Sequence, residues 1–149
     1  CINADFGGDA LAAVEAYFRS VAEVAALKPD ILGHIDLIKK LNRDGSFFDE
    51  NSDRYRAAAL GALEAAKAAD CLLEVNTGAV FRGYRDDFYP GPWLLGEWNR
   101  MGGKVIITAD AHSTDCLTFG YEEAARQIKA AGFNSVQVLT SAGFETQEI

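Results

Sequence analysis

Asp110 and His112 form an Asp-x-His pair directly after the apolar, β-branched run 104–108. Side chains two positions apart on an extended chain point to the same side, so the pair presents a carboxylate and an imidazole where a predicted strand ends. The other histidine, His34, lies at the end of a second short apolar run, 31–35. Active sites of parallel α/β folds lie at the carboxyl ends of their strands. The sequence therefore predicts one site, with metal-type ligands, on the rim of a parallel sheet or barrel.

Each of these residues also has a purely structural interpretation. Asp110 could cap the turn that follows it, and either histidine could be a hydrogen-bonded loop residue. A hydrolytic metal site normally uses three protein ligands per ion, and often two ions. Three candidates are too few for such a cluster, so we expect the missing ligands upstream of Cys1.

Cationic side chains follow two of the predicted strands. Arg82 lies in the loop after the second strand, and Lys40 and Arg43 follow His34. An arginine on the rim of a metal site can act as a two-pronged donor to a phosphate. Asn76, at a strand end, could orient a ligand or a substrate. The alternatives are solvated surface charges and a turn-forming asparagine.

The elements that must position these residues alternate between helix and strand. Apolar residues at three- and four-residue spacing predict helices, and short β-branched runs predict strands. Such alternation indicates an α/β fold with a parallel sheet. The same four strands would fit a small open sheet or half of a (βα) barrel. The predicted helices are 9–27, 53–69, 92–101 and 121–131; the predicted strands are 31–35, 71–75, 104–108 and 135–140, with a tail or final short strand from 141 onward.

Composition restricts the class of protein and its partners. The chain has 149 residues, 49% of them hydrophobic and 24% charged, which indicates one globular domain. The net charge of −8 argues against nucleic acid as a partner, and no apolar run is long enough for a membrane span. Three cysteines without a CxxC pair are typical of a reducing cytoplasm.

Three segments, in this order, resemble the C-terminal half of the histidinol phosphatases of the polymerase-and-histidinol-phosphatase (PHP) superfamily. They are Gly-His-Ile-Asp at 33–36, Leu-Glu-Val-Asn-Thr-Gly at 73–78 with the arginine that follows it, and Ala-Asp-Ala-His at 109–112. The resemblance extends from about residue 16 to the last predicted strand. It implies that residues 1–149 are one PHP-type domain fragment, the C-terminal half of a distorted (βα)7 TIM-like barrel.

The resemblance also implies a chemistry and a set of site residues. His34, Asp110 and His112 match metal-ligand and catalytic positions of enzymes that hold up to three divalent ions, zinc, manganese or iron. Arg82 matches a phosphate-binding arginine, and Lys40 or Arg43 falls near a second cationic position. The implied reaction is hydrolysis of L-histidinol phosphate to L-histidinol and phosphate in histidine biosynthesis. We further expect Asp86 or Asp87 to bind the ammonium groups of the substrate.

The chain also departs from this pattern, because it lacks the family's N-terminal His-x-His motif. We therefore expect the fragment alone to retain few or no metal ions and to be almost inactive. An exposed sheet edge would favour self-association, with two half-barrels completing one another as a homodimer. The alternatives are a PHP phosphoesterase with another phosphate ester or a nucleotide as substrate, a non-catalytic PHP module of a larger protein, and an open α/β binding domain with structural histidines.

Overall fold

The computed structural model describes residues 2–149 and contains one five-stranded sheet. Its strands are β1 (Ile31–Leu32), β2 (Leu72–Asn76), β3 (Lys104–Thr108), β4 (Ser135–Thr140) and β5 (Gly143–Glu148), and they lie in the order β1-β2-β3-β4-β5. Neighbouring strands from β1 to β4 are parallel. The α/β class and the mostly parallel sheet are therefore confirmed. Cys1 lies outside the described residues.

Helices connect the parallel strands as the alternation predicts. The α-helices are α1 (Ile2–Phe6), α2 (Ala10–Ala25), α3 (Asp53–Ala68), α4 (Gly78–Phe81), α5 (Pro92–Arg100) and α6 (Tyr121–Ala130), of which α1 and α2 precede β1. Helix α3 begins where predicted, because the Ser52 side chain accepts a hydrogen bond from the Tyr55 backbone N–H. None of the helices in residues 2–149 is long and apolar enough to cross a membrane.

The hydrophobic core lies between the parallel strands and the helices that pack on them. Val14 and Phe18 of α2 and Leu63 of α3 are almost completely buried, as are Leu73 and Val105 of the sheet. Burying a side chain of this size stabilises the fold by about 1.5–3 kcal/mol. The core therefore fixes β2 and β3 rigidly, and it is these strands that carry much of the candidate site.

One predicted boundary differs from the structure, and the final strand, predicted as one of two alternatives, is confirmed. The strand predicted over 31–35 ends at Leu32, because His34 adopts a left-handed backbone conformation with φ of 51° and Leu37–Leu41 forms a 3-10 helix. The segment after 140 is a full strand, β5, which pairs antiparallel with β4. Within residues 2–149 the sheet is thus open, with β1 at one edge and β5 at the other.

Candidate functional site

The candidate site lies at the carboxyl ends of β1, β2 and β3. The strands are in parallel register, with Leu32 beside Leu73 and Asn76 beside Thr108. This register brings His34, which follows β1, next to the end of β2, and it brings Asp110, which follows β3, to the same edge. His34 and Asp110, predicted from separate strand ends, are thus close neighbours.

His34 and Asp110 face each other directly. The His34 Nε2 and Asp110 Oδ2 atoms are 3.5 Å apart, and each side chain is about one-third exposed. Both residues have left-handed backbone conformations, with φ of 51° and 48°. A non-glycine residue in this region costs about 1–2 kcal/mol, and such strain often accompanies functional sites. Here it turns the chain sharply after each strand and directs both side chains into one cleft.

Arg82 is the cation nearest to this pair. Its Nη2 donates to Asp110 Oδ2 at 2.8 Å, and its Nη1 donates to the Asp110 carbonyl oxygen at 3.0 Å. Helix α4 ends immediately before Arg82, and a β-carbon at Gly78 would lie 2.8 Å from its Nη2. This β-carbon would also lie 2.5 Å from the backbone carbonyl oxygen of Ala109, which cannot move aside as a side chain can, so the position requires glycine. The structure therefore places Arg82 beside Asp110.

His112 lies beside the cleft and does not line it. Its Nδ1 is 2.7 Å from the Asp110 carbonyl oxygen and 3.2 Å from Arg82 Nη1, and the residue is exposed. The carbonyl oxygen only accepts and the guanidinium only donates, so the two contacts favour opposite states of Nδ1; the shorter contact, with the carbonyl oxygen, favours a proton on Nδ1. The residue is thus connected to the site through Asp110 and Arg82.

The cleft itself has a volume of about 140 Å³ and combines polar and aromatic walls. Tyr89 is buried, its ring centre lies 6.1 Å from that of His34, and burial raises its pKa to about 12. Lys40 lines the mouth with its ammonium 4.2 Å from the centre of the Tyr84 ring, a cation–π contact. The full lining is His34, Leu37, Lys40, Ala79, Arg82, Tyr84, Tyr89 and Asp110.

Two predicted substrate-binding residues lie elsewhere. Arg43 is more than half exposed and binds Asp86 through two hydrogen bonds, outside the lining of the cleft. Asn76 has no exposed surface, and its side chain contacts His34 rather than the cleft. The carboxylates of Asp86 and Asp87 are both engaged by cationic side chains.

A buried network of charges supports the cleft from behind. Lys39 is 1% exposed, and its Nζ lies 2.9 Å from Asp36 Oδ2 and 2.8 Å from Asp87 Oδ2. Burial alone would lower the pKa of Lys39, but the two carboxylates outweigh it and leave the pKa raised. Burial would likewise raise the pKa of Asp87, which Arg85 and Lys39 instead hold below its ordinary value. The network joins the 3-10 helix to the loop before α5.

Two further residues that position the site are harder to find from sequence. Tyr17 of α2 donates its hydroxyl to the His34 carbonyl oxygen at 2.8 Å and accepts from the Leu37 backbone N–H. No local pattern marks this tyrosine, because the contact joins residues 17 positions apart. Thr108, the last residue of β3, donates its hydroxyl to Glu74 Oε1 at 2.6 Å, and its place at a predicted strand end is the signal that could have indicated it.

Two curated proteins are similar to this chain. This chain is 28% identical over 120 residues to a histidinol-phosphatase of Bacillus subtilis (strain 168), and the matched segment covers 77% of this chain and 44% of that protein. It is also 26% identical over 121 residues to a probable histidinol-phosphatase of Thermotoga maritima, and this matched segment covers 80% of this chain and 48% of that protein. No family model matches the sequence. The chain thus spans just under half the length of these relatives, and the similarity supports a histidinol-phosphatase-like relationship.

Proposed function

We propose that this chain is part of a metal-dependent phosphomonoesterase that hydrolyses L-histidinol phosphate, and that its sheet is the C-terminal half of a distorted (βα)7 barrel. The observation that carries the proposal is the arrangement of His34, Asp110 and Arg82 at adjacent strand ends. A nitrogen and an oxygen donor 3.5 Å apart lie beside a guanidinium in one cleft. The similarity to two histidinol-phosphatases points to the same chemistry.

The separation of His34 Nε2 from Asp110 Oδ2 suits two ligands of one ion. Zinc binds imidazole nitrogen and carboxylate oxygen at about 2.0–2.2 Å, which at a tetrahedral angle separates the two donors by about 3.4 Å. However, no group of three or more His, Cys, Asp or Glu side chains within residues 2–149 could hold a metal ion. The described residues therefore do not make a complete metal site, and in our proposal the other ligands come from outside this set.

The cationic side chains account for recognition of the phosphate. Arg82 and Lys40 both line the cleft, and together they would offset the two negative charges of a phosphate monoester. Asp110 already binds the guanidinium through Oδ2 and through its carbonyl oxygen, so Arg82 is held in position before a substrate arrives. We assign phosphate binding to Arg82 and Lys40, and we do not assign it to Arg43.

Both histidines would use Nε2 for the chemistry. The 2.7 Å contact with the Asp110 carbonyl oxygen favours a proton on His112 Nδ1, which leaves the lone pair on Nε2. In this position Nε2 can bind a metal or, when protonated, give a proton to the leaving alkoxide. Metal-ligating histidines commonly anchor the second ring nitrogen on an oxygen in this way.

Phosphate release from L-histidinol phosphate tests the proposal. The assay uses the 149-residue chain and, in parallel, the protein from the full coding sequence that contains it, with added manganese or zinc. In that protein we expect Arg82→Gln to lower kcat/KM by about 10²–10³-fold, as loss of a charge-stabilising donor typically does. The matched control, Arg43→Gln, should change it less than about threefold, because Arg43 binds Asp86 outside the cleft.

The substrate is tested by comparison with mononucleotides under the same conditions. Preference for mononucleotides or another phosphate ester would retain the phosphomonoesterase and overturn the assignment of L-histidinol phosphate. Absence of hydrolysis of every ester would contradict the proposal and favour a non-catalytic module.

A further inference from the structure

Asn76 occupies a position from which it can act only through other residues. It ends β2, has no exposed surface, and pairs its main chain with Tyr89 through hydrogen bonds of 2.7 Å and 3.2 Å. A side chain without accessible surface cannot touch a ligand in the cleft. Any effect of the Asn76 amide on a ligand must therefore pass through the residues that it contacts.

The orientation of the Asn76 amide is fixed by a backbone donor. The Gly78 N–H donates to Asn76 Oδ1 at 2.9 Å. Turning the amide over would place two donors against each other, so the oxygen faces Gly78 and Nδ2 faces the opposite side. There Nδ2 lies 3.3 Å from His34 Nε2 and 3.4 Å from Thr108 Oγ1.

The direction of these hydrogen bonds determines the state of His34 Nε2. Since Nδ2 can only donate, Nε2 must accept and therefore carries a lone pair. Thr108 fits the same pattern, because its hydroxyl donates to Glu74 Oε1 at 2.6 Å and its oxygen is left to accept. The Gly78 N–H thus determines which groups donate and which accept in the hydrogen bonds that run from Asn76 to the His34 imidazole.

Glu74 holds the opposite side of the same imidazole. It is the acidic residue of β2 and its side chain is 10% exposed. Its Oε2 accepts from the His34 backbone N–H at 2.9 Å and lies 3.4 Å from His34 Nδ1. A carboxylate only accepts, so this contact favours the proton on Nδ1. The contact also holds the residue in its left-handed conformation, and a β-carbon at Gly33 would lie 3.0 Å from Oε2.

We infer that Asn76 and Glu74 are positioning residues that hold His34 as the Nδ1-protonated tautomer, with its Nε2 lone pair accepting from Asn76 Nδ2 at 3.3 Å, closer than Asp110 Oδ2 at 3.5 Å. The tautomer follows from the hydrogen bonds around the Asn76 amide and does not rest on the proposed function. Asn76 thereby determines which imidazole nitrogen of His34 carries no proton, and it does not bind the substrate itself.

Nitrogen-15 NMR of the imidazole rings tests the tautomer without any assay of function. Spectra are recorded at about pH 8.5, where an ordinary imidazole is neutral, and a His112→Gln variant assigns the two histidines. In the wild-type chain we expect a pyrrole-type Nδ1 and a pyridine-type Nε2 for His34. A pyrrole-type Nε2 in the wild-type chain would overturn the inference, even if no variant folds.

The variant Asn76→Asp replaces the amide nitrogen, a donor, with a carboxylate oxygen, an acceptor, and keeps nearly the same side-chain shape. Its carboxylate still accepts from the Gly78 N–H but cannot donate to the imidazole, so we expect His34 Nε2 to gain a proton. His112 is the internal control, because its Nδ1 lies against the Asp110 carbonyl oxygen and its spectrum should not change. An unchanged pyridine-type Nε2 of His34 in a folded Asn76→Asp chain would contradict the role of Asn76.

Discussion

Replacing Lys39 with methionine removes the cation at the centre of the buried network. Its ammonium is the contact shared by Asp36 and Asp87, at 2.9 Å and 2.8 Å. After the change, Asp87 keeps its hydrogen bond with Arg85 at 2.8 Å. Asp36 is 1% exposed and keeps the Gly91 N–H as a donor. The substitution therefore leaves one buried carboxylate without a counter-ion.

The cost follows from this imbalance. Breaking a buried ion pair by removing one partner destabilises a protein by about 3–5 kcal/mol, because the remaining charge is uncompensated. Methionine fills nearly the same space, so a packing defect adds little. We expect the free energy of unfolding to fall by about 3 kcal/mol, which at a urea m-value of about 2 kcal/mol/M lowers the midpoint by roughly 1.5 M.

Urea denaturation followed by circular dichroism measures the change, and the adjacent lysine provides the control. Lys40→Met removes only the cation–π contact with Tyr84 and should cost about 1 kcal/mol or less. Adding Asp36→Asn to Lys39→Met should restore part of the lost stability, because it removes the uncompensated charge. A Lys39→Met chain as stable as the wild type would contradict a stabilising role of the Lys39 ammonium, and a double variant less stable than Lys39→Met would contradict an uncompensated charge at Asp36.

Three further predictions concern acid stability, binding and assembly. The pKa of Asp87 is lowered in the folded chain, so its ionised form stabilises the fold above the ordinary pKa of 3.8, and this contribution is lost as the pH falls through the folded pKa. The urea midpoint should therefore fall in acid, and it should fall less steeply in Asp87→Asn. Lys40→Ala should raise KM for L-histidinol phosphate by about tenfold with little change in kcat, and an unchanged KM would remove Lys40 from the phosphate site. Sedimentation equilibrium should show self-association of the 149-residue chain through the open sheet, and a concentration-independent monomer mass would count against paired half-barrels.

Local patterns predicted the elements whose signals lie within one stretch of sequence. The run 104–108 forms β3, and Ser52 caps α3, because an apolar run and a hydroxyl before a helix act over only a few residues. The positions of His34 and Asp110 at neighbouring strand ends followed from the topology, since parallel strands place their carboxyl ends on one edge.

Contacts between distant residues decided the rest. Lys39 and Lys40 are neighbours of the same type, yet one is buried with two carboxylates and the other lines the cleft. The left-handed turn at His34 is held by Glu74, 40 positions further along the chain. Local sequence patterns do not contain this information, because it depends on which strand lies beside which.

Hydrolysis of L-histidinol phosphate by the full-coding-sequence protein and its Asp110→Asn variant tests whether the ends of β1–β3 form the catalytic site. Asparagine keeps the size of Asp110 and removes the charge shared by His34 and Arg82. With saturating manganese, we expect metal-dependent hydrolysis by the wild-type protein and a loss of at least about 10²-fold in kcat for the variant. Hydrolysis at the wild-type rate by Asp110→Asn would show that the reaction does not take place at the ends of β1–β3.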